Sequence, residues 1–283
     1  MNPSTPPEHL LQAFVERHEK LFVLTGAGCS TDSGIPAYRD RQGIWQRSPP
    51  MTWQRFTGSA ADRARYWARS MLGWRHVRDA RPNATHRALA ILEDTGCMQV
   101  LVTQNVDGLH QAGGNRNIID LHGRLDRVLC LSCNRCFARE EVQQALEALN
   151  PDWCSHEAAQ APDGDAEPAS EHPDAFHVPS CPRCHGMLKP DVVFFGENVP
   201  RQRLAHALEQ FQRADAMLVL GSSLMVYSGY RFAVAASRRG MPLAAVNLGR
   251  NRADPLLDLK LDCRCDQALS FLDSYAYTSP VHA

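Results

Sequence analysis

The sequence lacks any run of apolar residues close to the roughly 20 that an α-helix needs to cross a bilayer. Its first eight residues contain no basic cluster, no apolar core and no Arg-rich amphipathic pattern of the kind that directs export or import into an organelle. A net charge of -1 over 283 residues gives no general attraction to the phosphates of nucleic acid. We therefore expect a cytoplasmic protein that binds neither membranes nor nucleic acid.

The ten cysteines do not indicate a disulfide scaffold, because a chain of 283 residues can bury roughly three quarters of its unfolded surface without such staples. Two pairs have CxxC spacing, Cys130/Cys133 and Cys181/Cys184. Four thiolates at this spacing can close a tetrahedral zinc site and leave no position for a water, so the predicted zinc is structural. Cys136 extends the first pair to CxxCxxC, and only two of these three thiols can serve.

Short apolar runs that end in polar or glycine-containing turns are typical of buried parallel strands, and the chain has them at 21–24, 100–102, 118–119, 217–220 and 243–246. Helical patterns such as those at 86–92 and 203–211 lie between the runs. This alternation predicts a Rossmann-like, doubly wound α/β sheet. Ligands bind outside the carboxyl edge of such sheets, so we expect the turns after these strands to converge on one site.

Two segments interrupt the α/β pattern and divide the chain. We predict a discontinuous Rossmann-like domain at 8–37, 82–122 and 190–275, a helical insertion at 38–81 and a zinc-binding lobe at 123–189. Residues 161–173 are rich in Pro, Ala, Asp and Glu and are expected to form a mobile loop. The termini, 1–7 and 276–283, are expected to be flexible.

The first predicted strand leads directly into Gly26-Ala27-Gly28, but the next glycine is Gly34, so the dinucleotide pattern GxGxxG is not met. Glycines let backbone amides approach a pyrophosphate, and the start of a following helix adds partial positive charge. This turn therefore favours phosphate binding and weakens the case for an ordinary dehydrogenase.

Further motifs follow in a fixed order: GAGCSTDSGIPAYR at 26–39, TQNVD at 103–107, LHG at 121–123, GSS at 221–223 and VNLG at 246–249. Together with the CxxC pairs, they resemble the signatures of the sirtuin family over nearly the whole chain. Shorter stretches resemble the class II branch that includes a mitochondrial member of the sirtuin-4 type: RYWAR at 65–69, DRVLCL at 126–131, KPDVVFFGE at 189–197 and VYSGYR at 226–231. Since no organellar leader is apparent, a bacterial cytoplasmic relative is favoured.

The resemblance implies an enzyme that consumes NAD to remove an acyl group from protein lysine side chains, releasing nicotinamide and an acyl-ADP-ribose. The acyl oxygen is a poor nucleophile, so positioning it against the anomeric carbon of NAD must supply most of the acceleration. One structural zinc is implied, and the family register selects Cys130 and Cys133 beside Cys181 and Cys184. Nothing in the sequence requires an oligomer, and a monomer is favoured.

The resemblance also assigns roles to single residues. His122 is the candidate general base toward a ribose hydroxyl, because imidazole titrates near neutral pH. Asn105 and Asp107 complete the candidate catalytic set, although both types also favour turns. The expected NAD-binding residues are Gly26, Ala27, Gly28, Ser30, Thr31, Gly34, Ile35, Pro36, Tyr38, Arg39, Gln104, Asn105, Val106, Asp107, Gly221, Ser222, Ser223, Asn247, Leu248, Gly249 and Cys265.

The peptide substrate is expected to add as a strand and to be held mainly through its backbone. Its predicted contacts are Val193, Phe194, Gly196, Glu197 and Val226. Tyr66 and Arg69 form a YxxR pair that resembles the pair recognising acidic acyl chains, because arginine can bind a carboxylate bidentately. The alternative is that Arg69 pairs with Asp62 or Asp79 on its own helix.

Two other function classes stay open on the sequence. A protein mono-ADP-ribosyltransferase would use the same NAD site, and a non-catalytic NAD- or zinc-dependent module would need only the fold. His122, Asn105 and Asp107 speak against the second of these. A nucleic-acid-binding zinc ribbon is disfavoured, because the cysteine lobe lacks clustered Lys and Arg interleaved with aromatic residues.

Overall fold

A computed structural model describes residues 5–38, 40, 42, 44, 50–155, 158–160, 166–168 and 175–277. The strands are β1 (Leu21–Thr25), β2 (Met98–Thr103), β3 (Ile118–Asp120), β4 (Gly123–Cys130), β5 (Cys136–Ala138), β6 (Ala158–Gln160), β7 (Ala166–Pro168), β8 (Leu188–Val192), β9 (Ala216–Leu220), β10 (Leu243–Val246) and β11 (Leu259–Leu261). Six of them form a parallel sheet in the order β11-β10-β9-β1-β2-β3.

The helices are α1 (Pro7–Val15), α2 (Trp53–Gly58), α3 (Ala60–Asp79), α4 (Ala84–Asp94), α5 (Leu109–Ala112), α6 (Arg139–Leu149), α7 (Arg201–Arg213), α8 (Tyr227–Arg238) and α9 (Cys265–Leu269). Single 3₁₀ segments lie at Ala27–Cys29, Thr31–Ser33, Pro151–Ser155, Asp254–Leu256 and Ser270–Tyr277. No helix in the part of the chain that the structure describes is long and apolar enough to cross a membrane.

The strands of the parallel sheet are hydrophobic on both faces because helices cover both. Leu21 and Val23 of β1 face α1, α4 and α9, where Leu89 is one of the core residues. Phe22 faces the opposite side and meets Phe211 of α7 edge to face, with ring centroids 5.2 Å apart. Alternate residues of one continuous apolar run therefore supply two separate cores.

A second core lies around an antiparallel sheet in the order β5-β4-β8. Its apolar residues come from α2, α3, α6 and this sheet, and include Trp67 and Val128. Arg139 is also buried there, between Trp67 and Trp74 at 5.5 and 5.2 Å from the ring centroids. Burial lowers the pKa of Arg139 to about 10.

The predicted doubly wound α/β fold is confirmed, and all five predicted strands and both predicted helices are present. Sequence reasoning missed β11, since three residues that alternate buried, exposed, buried are too short to give a pattern. It also missed the antiparallel sheet. The domain division stays a prediction, and its boundary at 189/190 falls inside β8. Residues 161–165 and 169–173 of the predicted mobile loop lie outside the described residues, as do 1–4 and 278–283 of the predicted flexible termini.

Candidate active site

The carboxyl ends of the central strands lie level with one another, because Thr25 pairs with both Thr103 and Leu220, and Leu220 pairs with Val246. The turns that follow these residues surround a cavity of about 800 Å³. A second cavity of about 20 Å³ shares Ala27 and Asn105 with the first. The position agrees with the rule that ligands bind at this edge of a parallel sheet.

The glycine turn after β1 packs directly on the backbone of the turn after β9. The Gly26 amide donates to Leu220 O at 3.0 Å, and the Gly28 amide donates to Gly221 O at 2.8 Å. A Cβ on Gly28 would lie 2.8 Å from Gly221 Cα, and Gly221 itself has φ +60°. These glycines thus allow a close backbone contact, and the two amides are already bonded within the protein.

A hydrogen-bond chain joins the polar residues of the second cavity. Asn105 Nδ2 donates to Ser30 Oγ at 3.0 Å, and Ser30 Oγ donates to Asp107 Oδ2 at 2.7 Å. Asp107 Oδ1 accepts from the Leu109 amide, which begins α5. Burial raises the pKa of Asp107. Both carboxylate oxygens are engaged, so the geometry gives Asp107 the task of holding Ser30 and Asn105 in place.

His122 lies between the end of β3 and the start of β4 and lines the larger cavity. Its Nδ1 is 3.0 Å from Gln104 O, and its Nε2 is 2.7 Å from Ser228 Oγ. Burial lowers the pKa of His122 to about 4, so the ring is neutral at pH 7. A neutral imidazole with one nitrogen tied to a carbonyl has the other nitrogen available as a base.

Gln104 connects His122 to the turn after β9. Its side-chain Oε1 accepts from Ser222 Oγ at 2.6 Å, while its backbone amide donates to Thr25 O at 3.0 Å. Ser222 O in turn accepts from Asn251 Nδ2 at 2.7 Å. Ser222 is largely buried, and both Ser222 and Ser223 line the cavity.

An aromatic wall closes the cavity on the side of α2 and α3. Tyr66 packs against Phe194 and Phe56, with centroid distances of 5.1 and 5.4 Å. Arg69 lines the same cavity one helical turn further along α3. On the same helix, Asp62 pairs with Arg55 and Arg65, and Asp79 pairs with Arg78.

The turn after β8 is held by a largely buried ion pair. Lys189 Nζ lies 3.1 Å from Glu197 Oε2, and that oxygen also accepts from the Phe194 amide at 2.9 Å. Burial lowers the pKa of Lys189. The ammonium lies 4.9 Å from the Phe194 ring centroid and 5.6 Å from that of Trp53. These contacts fix the loop that the sequence assigns to the peptide.

At the far end of the cavity, the turn after β10 meets the start of α9. Asn247 Nδ2 donates to Leu248 O at 3.0 Å, and the Gly249 amide donates to Asp262 Oδ1 at 2.9 Å. Cys265 is buried at the first position of α9 and lines the cavity. Its thiol contact raises the pKa of the buried Cys29 well above the usual range.

Most predicted site residues meet at these two cavities, and their roles stay predictions. The larger cavity is lined by Gly26, Ala27, Gly28, Thr31, Tyr38, Tyr66, Arg69, Gln104, Asn105, Val106, His122, Val193, Phe194, Gly196, Glu197, Gly221, Ser222, Ser223, Val226, Asn247, Leu248 and Cys265. The smaller one adds Ser30, Ile35, Pro36 and Asp107. Gly34 and Gly249 are not among the lining residues of either, and Arg39 lies outside the described residues.

The four predicted metal ligands come together at the base of the antiparallel sheet. The sulfurs of Cys130, Cys133, Cys181 and Cys184 all lie within 4.8 Å of one another. The Cys130–Cys184 and Cys133–Cys181 sulfur distances are 3.4 and 3.9 Å. Tetrahedral zinc with Zn–S bonds of about 2.3 Å requires sulfurs about 3.8 Å apart, so the cluster fits zinc. Cys136 lies outside the cluster, with its thiol 3.9 Å from Phe137 O.

Sequence reasoning missed Ser228, Lys189 and Arg231 as site residues. Ser228 touches His122, Lys189 holds the loop after β8, and Arg231 lines the cavity from α8. The sequence around a serine at the start of a helix does not indicate which distant residue the serine will contact. Lys189 could have been suspected, because a lysine inside an otherwise buried strand needs a counter-charge.

The fold and cleft define a doubly wound α/β protein whose sheet edge carries a neutral histidine and whose antiparallel sheet carries a separate four-cysteine cluster. Comparison with known proteins makes the class specific: the Sir2 family pattern matches residues 26–228. An NAD-dependent protein deacetylase of Xanthomonas campestris pv. campestris is 61% identical over 262 residues, which are 93% of this chain and 89% of that relative. The chain therefore belongs to the Sir2 family, the sirtuins.

Solved structures of the family support this assignment. A Sir2 structure with a p53 peptide and NAD+ has a TM-score of 0.73 and 30% identity, and the match covers 95% of this chain and 98% of that one. Sir2Tm bound to a propionylated peptide has a TM-score of 0.74 and 29% identity, with 96% and 99% covered. The class II assignment within the family stays a prediction.

Proposed function

We propose that this protein is an NAD-dependent protein lysine deacylase that yields nicotinamide, O-acyl-ADP-ribose and free lysine. The observation that carries the proposal is the single cavity shared by the glycine turn, Asn105 and neutral His122. Relatives described as NAD-dependent protein deacetylases, and related structures with acetylated or propionylated peptides, support it. Deacetylation is the reaction that these comparisons favour.

In this mechanism the chain supplies position and one proton acceptor. The hydrogen-bond chain from Asn105 through Ser30 to Asp107 orders the wall between the two cavities, and we place the nicotinamide end of NAD against this wall in the larger cavity. His122 Nε2 is the base for a ribose hydroxyl, since Nδ1 is committed to the Gln104 carbonyl. The loop held by Lys189 and Glu197 binds the peptide. Bringing these reactants together in one cavity is the main source of rate.

The test is NAD-dependent nicotinamide release by the zinc-loaded protein with lysine peptides carrying acetyl, propionyl, succinyl, glutaryl, biotinyl or lipoyl groups. We expect release that depends on the acyl group and is lost in His122→Ala. The matched control is His206→Ala, which removes an exposed histidine from α7. NAD consumption that ignores every peptide would refute deacylation. Adenine label left covalently on protein would instead indicate ADP-ribosyl transfer, which no feature of the structure favours.

The acyl range is part of the proposal. The wall of Tyr66, Phe56 and Phe194 favours short apolar acyl groups, and Arg69 in the same cavity adds a site for a terminal carboxylate. We expect Arg69→Ala to reduce succinyl and glutaryl turnover at least tenfold more than acetyl turnover. Arg65→Ala, on the same helix but bonded to Asp62, is the matched control. An equal loss for acidic and neutral chains would remove the carboxylate role.

A further inference from the structure

The base of the proposed reaction already has a hydrogen-bond partner at the nitrogen that would act. Gln104 O can only accept, so the hydrogen between it and His122 lies on Nδ1, and Nε2 carries the lone pair. Ser228 Oγ lies 2.7 Å from Nε2 and must donate its hydroxyl hydrogen to it. Since an imidazole nitrogen has one lone pair, a substrate hydroxyl cannot bond Nε2 while Ser228 does.

Ser228 is held in this position by its surroundings. It is the second residue of α8, and the next residue, Gly229, packs on the Gln104 side chain so closely that a Cβ would lie 2.6 Å from Gln104 Nε2. Gln104 thus fixes His122 through its carbonyl and fixes the first turn of α8 through its side chain. The Ser228–His122 bond is therefore a built contact between two braced elements.

The Ser228 hydroxyl is also open to the cavity. It lines the larger cavity together with His122. Its hydrogen is committed to His122, but a hydroxyl has two acceptor lone pairs. Within the described part of the chain, Ser228 Oγ donates to His122 Nε2 and accepts no hydrogen bond. A hydroxyl group of a bound substrate can donate to this oxygen.

We propose that Ser228 is a proton relay between the substrate ribose hydroxyl and His122. The ribose O–H bond breaks as its proton moves to Ser228 Oγ, and the original Ser228 proton moves to His122 Nε2. Ser228 ends as a neutral hydroxyl, His122 becomes an imidazolium, and the substrate oxygen gains the electron pair with which it attacks. The relay rests on the proposed deacylase function and adds a residue to it.

The activity test compares Ser228→Ala with Ser228→Thr, which keeps the hydroxyl, and with Ser237→Ala, an exposed serine on the same helix. General base catalysis contributes roughly 100- to 10,000-fold, so Ser228→Ala should lose about a hundredfold in single-turnover formation of free lysine. Ser228→Thr and Ser237→Ala should stay within about fivefold of the wild type. Turnover by Ser228→Ala within that same range would overturn the relay.

The proton inventory separates a relay from a structural role. The single-turnover rate is measured against the deuterium fraction of the solvent. In the wild type and Ser228→Thr, two protons move in the same step, so this dependence should be curved. In Ser228→Ala only one proton moves, so it should be linear. A linear dependence in the wild type would overturn the relay even if Ser228→Ala were poorly folded. Mass added to Ser228 after turnover would also overturn it, because the serine would then be a nucleophile.

A measurement on the protein without NAD or peptide tests the underlying contact. The ¹⁵N signals of His122 should show a protonated Nδ1 and a hydrogen-bonded Nε2, and in Ser228→Ala only the Nε2 signal should move downfield. An unchanged Nε2 signal would contradict the contact. The failures are distinguishable: a wild type without peptide-dependent deacylation refutes the function, whereas an active wild type with an equally active Ser228→Ala refutes only the relay.

Discussion

The close contact between the glycine turn and the turn after β9 predicts a graded response to alanine at three glycines. In Gly28→Ala the new Cβ would lie 2.8 Å from Gly221 Cα and 2.9 Å from Gly221 O. Both atoms are backbone, so neither can move without shifting the end of β9. Overpacking costs roughly 1–3 kcal/mol and a lost hydrogen bond about 1 kcal/mol. We expect Gly28→Ala to lower the free energy of unfolding by about 2–4 kcal/mol.

Two other glycines separate the contribution of backbone strain from that of the close contact. Gly34 has φ +84° but open space around its Cβ position, so Gly34→Ala should cost about 1 kcal/mol from backbone strain alone. Gly58, at the end of α2, has neither strain nor a close neighbour, and Gly58→Ala should be neutral or slightly stabilising.

Urea unfolding at 25 °C gives the three free energies, provided that the slope with denaturant stays constant. Calorimetric titration with NAD adds a second readout. Gly28→Ala should also bind NAD more weakly, because the turn that lines the cavity moves with it. If Gly28→Ala and Gly34→Ala lost equal amounts of stability, backbone strain alone would explain both. The 2.8 Å contact of the new Cβ with Gly221 Cα would then contribute nothing, which would refute this prediction.

Three further outcomes follow from other parts of the structure. Burial lowers the pKa of His86 to about 4, against about 6.5 in the unfolded chain. The unfolded chain therefore binds the proton more readily than the folded chain as the pH falls below about 6.5, and His86 alone should lower the free energy of unfolding by about 3 kcal/mol at pH 4. Urea unfolding that shows the same free energy at pH 7 and pH 4.5 would contradict this. Cys181→Ser should lose bound zinc and melt at lower temperature, whereas Cys136→Ser should keep both, as metal analysis and thermal melts will show. Lys189→Met should lower the free energy of unfolding by about 3 kcal/mol, because it leaves the Glu197 carboxylate without its ion-pair partner. It should also raise the peptide KM more than the NAD KM. The control is Lys260→Met, which removes the more exposed pair with Asp254, and equal effects of the two variants would count against the buried pair.

Most strands of the parallel sheet could be predicted from sequence because burial on both faces gives them a short apolar run, as at residues 21–24. Their convergence on one edge follows from parallel pairing alone. The antiparallel sheet could not be predicted in the same way. β4 breaks its alternation of buried and half-buried residues at Asp126 and Arg127, where the register with β8 shifts, and β8 carries Lys189 and Pro190, so neither shows a regular strand pattern in the sequence.

The candidate site likewise contains residues that could be predicted from the sequence and residues that could not. The cysteine pairs could be chosen from the sequence because their spacing indicates metal binding directly, and His122 and Asn105 because they stand in motifs that resemble those of the sirtuins. Ser228 could not, since its meaning depends on a contact with a residue 106 positions away. The contacts of Asp107 could not be predicted either: its two carboxylate oxygens accept from Ser30 Oγ and from the Leu109 amide, while its predicted role stays a prediction.

The burial of His122 explains why its partners matter so much. A pKa of about 4 keeps the ring neutral and ready to accept a proton at pH 7, but it also makes the ring a weak base. For the proposed reaction, we expect such a base to accept the proton as the substrate oxygen forms its bond. Concerted transfer requires donor, relay and acceptor to be aligned beforehand. Gln104 and Ser228, fixed on two braced elements at opposite sides of the ring, provide that alignment within the protein itself.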